Sequence, residues 1–129
     1  MHKKRTLKLN LKEAIEALKD ARALIRKESH WAQHDLAVDD SGRSCGVKSK
    51  RAVAFCALGA VNRINGPAEK TASVFLREAA FSAMNRPEGY RLTDGDIFAV
   101  NDDLGHSATL KMFTSAIQAA KKALADSVR

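Results

Sequence analysis

Leu11, Ile15, Leu18, Ala21 and Ile25 recur at three- and four-residue spacing, the repeat that keeps apolar side chains on one face of an α-helix. Asn10 stands before this stripe and Glu13 three residues on, a capping-box pair that predicts a helix start at Asn10. Ser29 is read as the cap of a second, shorter helix carrying His30, Trp31, Gln33 and Leu36, which the Asp39-Asp40-Ser41-Gly42 turn ends. A loop to Ser49 follows. Residues 52–61 are apolar on every side and rich in small residues, which predicts a buried central helix approached closely at Gly59. Asn65-Gly66-Pro67 stops that helix and opens another, in which Ala68, Ala72, Phe75, Leu76, Ala79 and Ala83 keep helical spacing.

From Asn85 to His106 the pattern breaks: Pro87, Gly89, Gly95 and Gly105 alternate with acids, and residues 97–100 are long enough only for a helical turn or a brief strand. Ser107 is read as the cap of a last helix whose apolar face is Leu110, Phe113, Ile117, Ala120 and Leu124, with Lys121 and Lys122 where the helix dipole favours cations. No strand pairing, internal repeat or coiled coil is evident. The expected fold is all-α, a single bundle of five or six helices around a buried central helix. Residues 1–9 are expected to be a flexible basic arm and residues 10–129 the domain.

With 129 residues, 45% of them hydrophobic, the chain holds the material for one core without metal or disulfides. It has no apolar run of the roughly 18 to 20 residues a membrane span needs, and its basic N-terminus is not followed by a signal-peptide core; a cytoplasmic protein is expected. Two cysteines make no disulfide framework. The net charge of +7 is unevenly spread, with basic excess at both ends and acidic excess over residues 67–106. A molecule polarised in this way invites a charged partner. Lys3, Lys4 and Arg5, with Lys12 on the first helix, are candidate phosphate contacts. The same helix carries Glu16 and Asp20 beside Lys19, Arg22 and Arg26, as an ordinary solvated face does.

Four groups of residues carry candidate chemistry. Trp31 and Gln33 suit a planar, hydrogen-bonding ligand such as a nucleobase, although the single Trp of a small domain is most often a core or subcore filler. Cys56 with His30, His34 or His106 and Asn101 or Asp102 holds the materials of a cysteine hydrolase, but a thiol within an apolar helix lacks the electropositive setting such chemistry needs. His30 and His34 are one helical turn apart, and Asp102, Asp103 or His106 would complete a metal site, yet the Glu of a zincin helix is replaced by Trp31. Asn101-Asp102-Asp103 before Gly105-His106-Ser107 is turn-and-cap chemistry, or a polar site at a helix N-terminus. P-loop, Gly-x-Gly-x-x-Gly, Cys-x-x-Cys and Gly-x-Ser-x-Gly motifs are all missing. No cofactor or metal is expected.

Trp31-x-Gln33, the Asp39 to Gly42 turn, Ala52-x-x-x-Cys56-Ala57-x-Gly59-Ala60 and Asn101-Asp102 before a final helix together resemble an uncharacterised family of short α-helical bacterial and phage proteins. The resemblance spans residues 11–125, and in that family a Trp often stands where this chain has Val100. It implies a small helical domain in which Trp31, Gln33, Cys56, Gly59, Asn101 and Asp102 meet around one centre, either a pocket or a structural polar knot. The functional expectation is a non-enzymatic binding domain for a small polar or nucleotide-like ligand, with Trp31 stacking, Gln33 and Asn101 hydrogen-bonding and Asp102 orienting them. The alternative is a nucleic-acid- or protein-binding accessory factor acting through the basic first helix and arm.

Overall fold

The structure, a computed structural model, describes residues 6–64 and 66–127. It is a helical bundle: α1 (Leu7–Leu24), α2 (Ala57–Ile64), α3 (Glu69–Ala83), α4 (Asp94–Ala99) and α5 (His106–Ser127). A two-stranded antiparallel ribbon of β1 (Ala37–Val38) and β2 (Ala54–Phe55) is set between α1 and α2, with Ala37 opposite Phe55 and Val38 opposite Ala54. The two longest helices, α1 and α5, pack along each other, and α3 lies against both. Leu18, Ala21 and Ile25 meet Phe113, Ala116 and Ala120 in one core with Leu76, Val61, Ile97 and Val100, all fully buried or nearly so. No helix among the described residues is long and apolar enough to cross a membrane.

Several boundaries differ from the sequence expectations, each for an identifiable reason. Helix α1 starts at Leu7, three residues before Asn10, because the Thr6 hydroxyl accepts the Leu9 N–H at 3.1 Å and caps the helix. Leu7 to Leu9, expected in a flexible arm, therefore form its first turn; Lys3, Lys4 and Arg5 lie outside the described residues. The helix expected from Ser29 is a single 3-10 turn, Glu28–His30. Beyond it Trp31 turns extended and its backbone bridges Phe55, with the Ala32 N–H bonded to the Phe55 carbonyl at 2.9 Å, so strand-like backbone pairing and the contacts described below prevail over helical continuation. The central helix begins at Ala57, not Ala52, and Ala54–Phe55 form a strand. A continuous apolar run has no period, so it fits a buried strand as well as a buried helix.

Gly59 is required where α2 meets the preceding segment. A Cβ there would overlap the Leu36 backbone, so only glycine lets the two chains close. After α4 the chain makes one π-helical turn, Val100–Leu104, ending at Gly105 with φ +97°, a conformation glycine adopts without strain. Helix α5 starts at His106. Its first-turn Thr109 N–H bonds the Gly105 carbonyl at 3.0 Å, so Gly105, and not the expected Ser107, stands at the entry.

Candidate functional site

The wide π-helical turn carries Asn101 to the centre of the molecule, where it is fully buried. Its side chain makes four hydrogen bonds. Oδ1 accepts the Trp31 indole N–H at 2.7 Å and the Ala57 backbone N–H at 3.0 Å, while Nδ2 donates to the Ala32 carbonyl at 2.9 Å and to Asp102 Oδ1 at 2.9 Å. A carboxamide has two donors and two acceptor lone pairs, so Asn101 is saturated. The Ala57 N–H is one of the unpaired donors at the N-terminus of α2, and Asn101 caps that helix from a distant part of the chain.

The neighbouring contacts extend the same fastening. Gln33 Nε2 donates to the Asp102 carbonyl at 3.0 Å, and the His34 backbone N–H donates to Asp102 Oδ1 at 3.0 Å. His34 adopts φ +71° and places its exposed ring with Nδ1 3.6 Å from Asp102 Oδ2. The Trp31 ring lies 5.1 Å from that of His106, and His106 Nε2 contacts the Ile25 carbonyl at 2.7 Å. Three chain segments thus meet: residues 31–34, the N-terminus of α2 and the turn between α4 and α5.

Cys56 lies on the edge of this group. It is the residue before α2, not a mid-helix residue as expected, and its Sγ accepts the Gly59 N–H at 3.4 Å. Burial pushes the thiol above its ordinary pKa and Asp102 pushes in the same direction, outweighing the backbone N–H groups that favour the thiolate. Cys56 is therefore a protonated helix-end acceptor. His30 and His34 do not share a helical face, since one ends the 3-10 turn and the other lies in a bend with φ +71°. Among the described residues no three His, Cys, Asp or Glu side chains are placed to hold a metal. Lys12 is exposed on α1 beside Glu13 and Glu16, away from the Asn101 cluster.

A second feature lies in the distribution of charge along the sequence. Between Asp40 and Glu69 the chain contains no carboxylate, while Arg43, Lys48, Lys50, Arg51 and Arg63 supply five cations. Asp35, Asp39 and Asp40, just before this span, offset its charge when the segment is taken as a whole. In the structure four of the five are exposed on the loop that joins β1 to β2.

The fold and the site define a small all-α domain in which a buried Asn101 fastens half-buried Trp31 and Asp102, with a basic loop alongside. Residues 10–119 match the family of unknown function designated DUF6197, and the chain belongs to that family. No curated protein and no solved structure matches the chain.

Proposed function

We propose that the chain is a non-enzymatic binding domain in which Trp31, Gln33, Asn101 and Asp102 frame the binding surface instead of contacting the ligand. The observation that carries this reading is the saturation of Asn101 by four internal bonds. A ligand taking the Asn101 amide would have to replace them all, and breaking buried hydrogen bonds without equivalent replacement costs about 1 to 3 kcal/mol for each group left unpaired. The only thiol near the cluster is buried, protonated and engaged by Gly59. What the cluster presents to a partner is the chain it holds, namely the segment from Trp31 through the ribbon and its loop.

Asn101→Ala tests the frame. Leaving the Trp31 indole N–H, the Ala57 N–H and the Ala32 carbonyl without their partner is expected to cost about 3 kcal/mol or more in urea unfolding. Amide exchange is expected to accelerate at Ala57 and along residues 31–38 of the still-folded protein. Iodoacetamide provides the complementary test, with Cys56 expected to react only on the unfolding timescale. Rapid alkylation of the folded protein at Cys56, or an Asn101→Ala variant of parental stability and exchange, would overturn the reading.

A further inference from the structure

The loop between β1 and β2 is braced at several points. The Asp39 carboxylate accepts the Ser41 and Arg43 backbone N–H groups, both at 2.9 Å, and the Cys45 N–H bonds the Ala37 carbonyl at 3.0 Å. From α2, the Arg63 guanidinium donates to the Val47 and Ser49 carbonyls at 2.8 and 2.9 Å, while Lys48 Nζ returns a bond to the Arg63 carbonyl at 2.7 Å. Arg63 also lies 5.7 Å over the Phe55 ring. One half-buried cation is thereby spent on holding the loop. Arg43, Lys50 and Arg51 are left exposed with no ion-pair partner among the described residues. The backbone N–H groups of Gly46, Val47 and Lys48 have no hydrogen-bond partner among them either.

We propose that residues 43–51 bind the phosphodiester backbone of nucleic acid, without reading base sequence, through Arg43, Lys50 and Arg51 assisted by Lys48 and the free amides beside it. The inference rests on the binding-domain reading and names its partner. A loop already held in place loses little conformational freedom on binding, so its charges act at low entropic cost. The chemistry favours phosphodiester over other anionic surfaces. Protein interfaces are anchored by buried aromatic or aliphatic side chains and membrane attachment by inserted apolar ones, whereas within this loop Val53 is the only exposed large hydrophobic residue. A phosphate chain needs only spaced cations and N–H donors.

The test is fluorescence anisotropy of a labelled mixed-sequence duplex oligonucleotide with the full chain across a salt series. Three to four phosphate contacts predict a slope of log affinity against log salt of about −3, hence a loss of roughly 50- to 100-fold between 50 and 200 mM salt. A duplex of scrambled sequence is expected to bind equally. The R43Q/K50Q/R51Q variant, whose exposed substitutions leave helix content and melting unchanged, is expected to lose this binding, and K8Q/K12Q on α1 is expected to retain it. Parental binding by the loop variant, loss of binding only in the α1 variant, or absence of duplex binding at low salt would each overturn the assignment. So would capture by a polyglutamate peptide or by anionic vesicles in place of the duplex. Failure here with an unreactive Cys56 and a destabilised Asn101→Ala leaves the binding-domain reading standing, so the two readings fail separately.

Discussion

At the scale of single residues, Cys56 shows how position decides chemistry. A thiol before a helix is the arrangement that lowers a cysteine pKa when the site is open and electropositive. Here burial and the nearby Asp102 prevail, and the pKa lies above its ordinary value of 9.0. A proton held more tightly by the folded than by the unfolded chain stabilises the fold. That contribution is complete below the unfolded pKa and is lost as pH rises from there through the folded value. Stability of the parent protein is therefore expected to fall more steeply above about pH 9 than that of Cys56→Ser, whose hydroxyl does not ionise in this range. Urea unfolding of both proteins between about pH 8 and about pH 10 measures the difference; parallel profiles would place the thiol in an ordinary environment. The chemistry of Asn101 was partly legible beforehand. Its residue type announced a turn or cap, and the family motif announced a meeting with Trp31. That it caps α2, 44 residues away, depends on a tertiary contact that no local pattern encodes.

At the scale of elements, the apolar stripes of α1, α3 and α5 were readable because a 3.6-residue repeat maps directly onto a buried face. The ribbon was hidden for the opposite reason. Ala54–Phe55 belongs to an unbroken apolar run, and its partner Ala37–Val38 follows a segment whose spacing also suited a helix. Helix α4 was hidden by its shortness, and ion pairs with α3 and the segment after it hold it in place. Arg77 reaches Asp94 at 3.3 Å, and Arg86 Nε reaches Asp96 Oδ1 at 2.9 Å while stacking over Tyr90. Asp96 is buried and its other oxygen, Oδ2, has no hydrogen-bond partner among the described residues, so among them Arg86 alone compensates its charge from a side chain. Arg86→Gln should leave that carboxylate without its cation and loosen α4 selectively. Hydrogen exchange is expected to rise at residues 94–99 and stay at the parental level in α1 and the second half of α5. Replacing both partners, as R86Q/D96N, is expected to recover much of the lost protection, because the buried charge is removed together with its counter-charge. A uniform rise across all helices would instead make this pair part of the global fold.

At the scale of the molecule, the question is whether the Trp31–Asn101 cluster and the helical core unfold together. Geometry links them through the turn after α4. Val100 is buried in the core beside Phe113's helix, and the next residue, Asn101, holds Trp31 and the start of α2. The cluster therefore draws its rigidity from the helical core through Val100, and α2, whose start it caps, in turn braces the β1–β2 loop through Arg63. Phe113 is fully buried and the largest side chain in that packing, and its removal is expected to cost about 3 to 5 kcal/mol through lost burial and the cavity left behind. Against a total stability of about 5 to 15 kcal/mol, such a loss moves the whole transition to lower denaturant. The sole tryptophan in the chain makes the linkage observable, since Trp31 fluorescence reports the cluster and far-ultraviolet circular dichroism reports the helices. In Phe113→Ala both signals are expected to move by the same amount and keep a common midpoint, as one cooperative unit requires. A fluorescence transition preceding the loss of helix would show instead that the cluster and its loop form a separate, weaker unit, able to open while the bundle stays folded.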